Sequence, residues 1–448
     1  MAHGVYDLGL EECKSMNLCA HDRDVLRSLA GAVREIAGLP AMEDRRRLWY
    51  RHNDLDPERP LVLCNPEGAW DELLPEGVLV CRDDIARDWE WDLRSKIFWW
   101  EHIRDDNVVE PWIGIPWRIA PGDFGVQAQY TSGANRGSYR WDPPIRDLPG
   151  DLARLRPRRP GVDRAGTQER LAAAAECFGD LLPPRIRGHH HYPAGPARRA
   201  MIYRTPSPPS DGWWTVGLTW DAIKLVGLEN FMLAMLDNPA GLHALMGWLR
   251  DECRGFIEWH EAEQLLTPAN RNDYTGSGGI GYTRHLPQPG RGPGDPVRLT
   301  DLWGLAEAQE TVGVSPAMFA EFVLPYQLPL LAKFGLTCYG CCEPLHDRVE
   351  QLLRIPNLRR VSASAWCKLD VLAERLGGRC VLSRKPNPAT VCVSFDEAVI
   401  RRDLRDALRI AGRLSLEIIL KDTHTVQSDP TRLTRWVALA REEITRFA

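Results

Sequence analysis

The densest cluster of soft, reactive side chains is Cys338-Tyr339-Gly340-Cys341-Cys342-Glu343, with His346 three residues further on. The Cys338-x-x-Cys341 spacing alone is a weak metal signal. Successive strand residues face opposite sides, so Cys341 and Cys342 cannot share one face of a regular strand. At a strand end the backbone leaves the pleat, and both can reach one site. A second group, Lys421-Asp422-Thr423-His424, directly follows the apolar run SLEIIL. Charges at the end of a buried strand are costly unless paired or functional. Lys421 and Asp422 therefore read either as functional groups or as a closing salt bridge. Cys341, Cys342 and His424, with a carboxylate or water, have the composition of an open zinc site. The alternative is that the cysteines are small buried hydrophobes.

Asn272-Asp273-Tyr274 precedes Gly276-Ser277-Gly278-Gly279-Ile280-Gly281. The glycines match GxGxxG, but Pro287, Pro289 and Pro293 follow, so no helix starts there to hold a pyrophosphate. The stretch reads as a flexible active-site loop with Asp273 and Tyr274 at its base, or as a plain surface loop. Glu307, Gln309 and Glu310 face a cavity or simply solvate a helix. The internal His189-His190-His191 reads as a surface loop. No GxSxG, HExxH, P-loop or zinc-finger spacing occurs.

The elements that must position these residues are clearest in the C-terminal third. Ser315-Pro316 is an N-cap followed by proline at the first helical position. It opens SPAMFAEFVLPYQLPLLAKFG, which Pro325 and Pro329 should kink. A short apolar run then enters CYGCCE, followed by a helix over 344–353. Strands at Arg359–Ser364, Arg379–Pro388 and Ser415–Leu420 alternate with helices, the last of them capped by Asp429-Pro430. Four strand-then-helix units in a row imply a parallel sheet with right-handed crossovers. With no phosphate loop, the expectation is an α/β protein, a (β/α)8 TIM barrel over residues 108–448. Function then belongs at the C-terminal strand ends, at YGCCE, SASAW, KPNP and KDTHT. Residues 1–107 read as a mostly helical, Trp-rich N-terminal extension or cap. It carries one small strand in ERPLVLCNPEG, and Val25, Leu26, Leu29, Val33 and Ile36 share a helical face.

The 448 residues carry 56 Lys and Arg against 61 Asp and Glu, a net charge of −5. That argues against nucleic acid, which needs clustered positive charge. At 44% hydrophobic and 26% charged residues the chain has a globular composition. No apolar run approaches the roughly 18 residues of a membrane span, and MAHGVYDLGLEECKSM has no signal-peptide pattern. Twelve cysteines without a secretory signal read as reduced thiols. The expectation is a cytoplasmic enzyme acting on a small molecule, with a Trp-rich surface that suits a homodimer.

SPAMFAEFVLPYQLPLLAKFG, CYGCCEPLH, KPNP and KDTHTVQSDPTRLTRWVALARE together resemble the uroporphyrinogen decarboxylase superfamily. The likeness runs from about Val108 to the end and is closest to divergent bacterial members related to zinc- and corrinoid-dependent methyltransferases. It implies a (β/α)8 barrel. Those methyltransferases carry a His-x-Cys pair at one strand end and another cysteine after the last strand. Here Tyr339 or Gly340 stands in the histidine's place before Cys341 and Cys342, and Asp422 or His424 in the second cysteine's place. The Arg-rich motif of the decarboxylases is absent; RDDIARDWEWDLR is not it. The resemblance implies a corrinoid-linked methyltransferase or demethylase, with zinc held by Cys341, Cys342 and His424 and a corrinoid on a partner protein. Asp422, Glu343, Lys421 and Tyr339 would be catalytic. Asn272, Asp273, Tyr274, Glu310, Lys385 and Asn387 would bind substrate. One alternative is a metal-free decarboxylase of a carboxylated aromatic or tetrapyrrole-like compound. Another is a non-catalytic corrinoid- or tetrapyrrole-binding protein.

Overall fold

A computed structural model of the chain describes residues 18–132, 139–188 and 215–447; His189, His190 and His191 lie outside them. Six strands form one parallel sheet: β1 (Leu61–Cys64), β2 (Trp303–Ala306), β3 (Leu336–Tyr339), β4 (Leu358–Ala363), β5 (Val381–Arg384) and β6 (Leu416–Leu420). Their order is β1-β6-β5-β4-β3-β2. Strands β1, β2, β3 and β6 are short, mostly apolar runs buried on both faces, as parallel strands with covering helices must be.

The barrel expectation is met only in part. Among the described residues six strands pair in one parallel sheet, and no closure into eight strands is found. Ile113–Pro116, from the expected strand VVEPWIGIPWRI, pairs instead with Pro184–Arg187 in a separate two-stranded sheet. Arg118–Ala120 turns away to pair antiparallel with Gly161–Asp163. The fold is therefore α/β with a six-stranded parallel sheet.

The small strand expected in the N-terminal extension belongs to this main sheet. Leu61 to Cys64 pair with Glu417 to Leu420. The pleat of β1 divides its side chains: Val62 and Cys64 join the larger core cluster, and Leu61 and Leu63 join the one beneath the N-terminal helices. Those helices, Ala20–Ala37, Pro40–Asn53 and Asp84–Phe98, bury Leu26, Val33, Met42, Trp49 and Trp89 against it. Trp70 meets Trp91, Phe98 and Trp99 edge-on. Trp89 and Trp91 are buried, and Trp99, Trp100, Trp112 and Trp117 are half-buried. The tryptophans expected at a surface are thus at least half covered by the chain's own packing, because indoles carry the largest apolar area to bury.

Ser315 caps its helix by accepting from Met318 N, as expected. The kink falls at Val323, which separates Pro316–Phe322 from Leu324–Leu331. The ring of Pro325 restricts the backbone just before it. The helix expected over 344–353 is only Val349–Leu352, because residues 340–348 are spent on the turn that forms the site. The last helix, Thr431–Phe447, buries Leu433, Trp436, Val437, Ala440 and Ile444 as expected. No helix of the described residues is long and apolar enough to cross a membrane.

Candidate functional site

The C-terminal ends of the parallel strands converge on a pair of thiols. Gly340, with φ +95°, turns the chain out of β3. A Cβ there would come within 2.5 Å of Leu345 Cδ1, so glycine is required both by conformation and by space. The turn releases Cys341 and Cys342 from strand alternation and leaves their sulfurs 3.6 Å apart. Glu343 fixes the turn from inside. Its carboxylate accepts from Cys341 N at 2.8 Å and Ala308 N at 2.9 Å. Ser362, from β4, donates to the Cys341 carbonyl at 2.9 Å.

Around the sulfurs stand Ser277, Lys421 and Asp422. Ser277 Oγ donates to Cys341 Sγ at 3.3 Å, and Lys421 Nζ lies 3.8 Å from the same sulfur. Lys421 also donates to Ser277 Oγ at 2.9 Å. Asp422 Oδ2 is 3.8 Å from Cys342 Sγ, and its Oδ1 is 3.7 Å from Lys421 Nζ. Glu67, just past β1, accepts from Asp422 N at 2.9 Å. Glu67 and Asp422 both have positive φ, +46° and +57°. Such non-glycine conformations cost energy and gather at functional sites.

These contacts separate the two thiols. The hydrogen bond from Cys342 is the main cause that brings Cys341 down to about 7; Lys421 and Ser277 add to it against the opposing effect of burial. The same bond, with burial, pushes Cys342 well up. The pair titrates as a unit, with the anion on Cys341. Burial works against the Lys421 charge, but Tyr274, Cys341, Glu67 and Asp422 outweigh it and keep the ammonium well above the ordinary lysine value.

Ser277 rides on a buried hairpin in which Tyr274–Thr275 pairs with Gly279–Ile280. This corrects the reading of 276–281 as a flexible or surface loop. The glycines let the hairpin lie against the sheet: a Cβ on Gly279 would meet Arg360 Cζ at 2.8 Å and Glu417 Oε1 at 3.0 Å. Beneath it, Arg360 Nε is 3.1 Å from Glu417 Oε1, and His52 Nε2 is 3.4 Å from Glu417 Oε2. Burial opposes ionisation of Glu417, but Arg360, His52 and Lys385 hold it down to about 2.

The remaining expected residues divide. Tyr274 lies close enough to Lys421 to influence its charge. Glu310 lines a cavity of about 490 Å³ together with Gln309, Val312, Cys342, Pro344 and Trp366. Lys385 is buried at the end of β5 and donates to Ser383; burial brings its amine down to about 7. The Tyr339 hydroxyl donates to Gln327 Oε1 at 2.8 Å inside the core, so the tyrosine supports the strand end. Asn272 hydrogen-bonds to Val108 O. Asp273 is engaged by Arg187 at 3.0 Å and Arg271 N at 3.0 Å. Asn387 accepts from Ala389 N at 3.0 Å and shapes the local turn. His424 is exposed, and His346 is half-buried near Cys367.

The donor set does not fit zinc in this arrangement. Among the described residues no group of three or more His, Cys, Asp or Glu is gathered as a metal requires. The expected Cys341–Cys342–His424 set thus has two of its members together. The Lys421 ammonium lies beside Cys341 and Asp422 and supplies positive charge at that spot.

Sequence reasoning passed over Ser277, Glu67 and Trp366 as individual residues. The strand-end rule contained the signal for two of them. Glu67 follows β1 by three residues, and Trp366 follows β4 by three. Ser277 had only its place between two glycines.

No family model matches the chain, and no curated protein does. Among solved structures, the chain is similar to a methyltransferase from Methanosarcina mazei. The identity is 11% and the TM-score 0.47, over 89% of this chain and 97% of that one. A likeness at that level says nothing of chemistry, which rests on the residues of the site.

Proposed function

We propose that the chain is a methyl-transfer enzyme in which the Cys341–Cys342 pair receives the methyl group. The observation that carries this reading is the set of contacts at Cys341 Sγ, with Ser277 at 3.3 Å, Cys342 at 3.6 Å and Lys421 at 3.8 Å. A thiol attacks a methyl carbon only as thiolate, and these groups stabilise one. Cys342 faces the cavity, and Cys341 lies behind it. The Cys341 thiolate first takes the Cys342 proton, and Cys342 Sγ then attacks as the thiolate. A sulfur–carbon bond forms, and the bond from the methyl group to its carrier breaks, the electron pair leaving with the carrier. A corrinoid, as the resemblance implies, belongs to this proposal as a methyl carrier on a partner protein. Decarboxylation is less well supported. A carboxylated substrate needs cations, and the cavity lining offers Glu310 and none.

The test is the pH dependence of alkylation by iodoacetamide, with the modified cysteine located by peptide mass. The expected midpoint for the pair is about 7, and modification is expected at Cys342. A midpoint near the ordinary cysteine value of about 8.5 would overturn the thiolate reading. So would loss of reactivity on chelation with release of about one zinc per chain, which would restore the metal site.

A further inference from the structure

The cavity beside the thiols has a lining of unusual chemistry. Its one charged side chain is Glu310; Gln309 is polar, and Val312, Pro344 and Trp366 are apolar. The Trp366 indole is 69% exposed and Val312 50% exposed, both at the cavity. Large apolar groups left in water at a concave site mark a place where something binds. Glu310 Oε2 is held by Thr219 Oγ1 at 2.7 Å, which fixes the carboxylate. Two further carboxylates stand near it. Glu307 is 1% exposed and accepts from Gln309 N, and Glu343 is fully buried. Among the described residues no ion pair joins any of the three to a cation. The nearby Lys224 feels the charges of Asp221 and Glu310, and its ammonium sits over the Trp220 ring at 4.8 Å. Burial and mutual repulsion hold Glu307 and Glu310 above the ordinary carboxylate value.

We propose that this cavity binds a small organic cation with a methylated, quaternary ammonium head, placed between the Trp366 indole and the Glu310 carboxylate. An indole face attracts such a cation, and its methyl groups suit Val312 and Pro344. A primary ammonium would bring three donors to a lining with few acceptors, whereas a quaternary head brings none. The inference deepens the methyl-transfer reading by naming a substrate class. It rests on that reading for chemistry and not for binding.

The test is calorimetric titration of the full chain with choline and with its neutral carbon isostere, 3,3-dimethylbutan-1-ol. Choline is expected to bind at least about tenfold more tightly than the isostere. Trp366→Ala and Glu310→Gln are each expected to weaken choline by about tenfold. Trp366 is exposed, so its variant tests the site even if Glu310→Gln fails to fold. Equal binding of the two compounds, or no choline binding up to about 10 mM, would overturn the proposal. Retained choline binding by Cys341→Ser, combined with an ordinary alkylation midpoint in the wild type, would sink the thiolate reading alone.

Discussion

Replacing Lys421 by methionine removes the ammonium 3.8 Å from Cys341 Sγ. An opposite charge at such range shifts a pKa by about one to three units. The alkylation midpoint of Lys421→Met should therefore rise by at least about one unit above wild type. An unchanged midpoint would mean that the lysine serves only Glu67 and Asp422. Ser277→Ala should move the midpoint the same way by less, since it removes one hydrogen bond and leaves the charge. At this scale the sequence was informative about types and poor about partners. Cys341, Cys342, Lys421 and Asp422 were legible because a polar residue at the end of an apolar strand needs a reason. His424 was misplaced because the chain turns after Asp422 and leaves the imidazole exposed. The resemblance implied a catalytic Tyr339, and its hydroxyl donates to Gln327 in the core.

The strand and helix pattern of the C-terminal third was readable, because parallel strands are short apolar runs with capped helices between them. Strands β5 and β6 fall within the expected ranges, β4 starts one residue before its own, and the final helix follows its expected cap. The hairpin at Tyr274–Ile280 was not readable. Its glycines look the same in a surface loop and in a segment pressed against a sheet; only the facing Arg360 and Glu417 distinguish the two. That packing gives an element-scale prediction. Gly279→Ala puts a methyl group 2.8 Å from Arg360 Cζ. Overpacking of this kind costs about 1–3 kcal/mol. Urea unfolding should show a loss of that size. The alkylation midpoint should also rise, because the displaced hairpin carries Ser277. A loss of stability with the midpoint unchanged would show that the hairpin is not what positions Ser277.

For the molecule as a whole, the buried Glu417 sets a dependence on acid. Its carboxyl is held at about 2 in the folded chain, against about 4.3 unfolded. A depressed acid stabilises the fold above its unfolded value, and that contribution is lost as the pH falls toward its folded value. The gap corresponds to about 3 kcal/mol. Wild-type stability to urea should drop between pH 5 and pH 3, and Glu417→Gln should flatten that drop while lowering stability at pH 5. An equal drop in both would assign the acid sensitivity to other carboxylates. The sequence did not disclose this network, since His52, Arg360 and Glu417 come from distant segments and carry no motif. Closure of the sheet was not readable for the same reason. Strand-helix alternation counts units, and closure depends on how the first half of the chain pairs. The pairing of β1 with β6 has one more consequence. It joins strands about 350 residues apart, and the sulfur environment draws on residues 67, 277, 341 and 421. In a chain emerging from the ribosome the Cys341 thiol therefore keeps the ordinary cysteine value of about 8.5 until the last strand has docked. The lowered midpoint at this pair is thus a report that folding is finished, while the cysteines that the fold buries are open to alkylation only in a partly made chain.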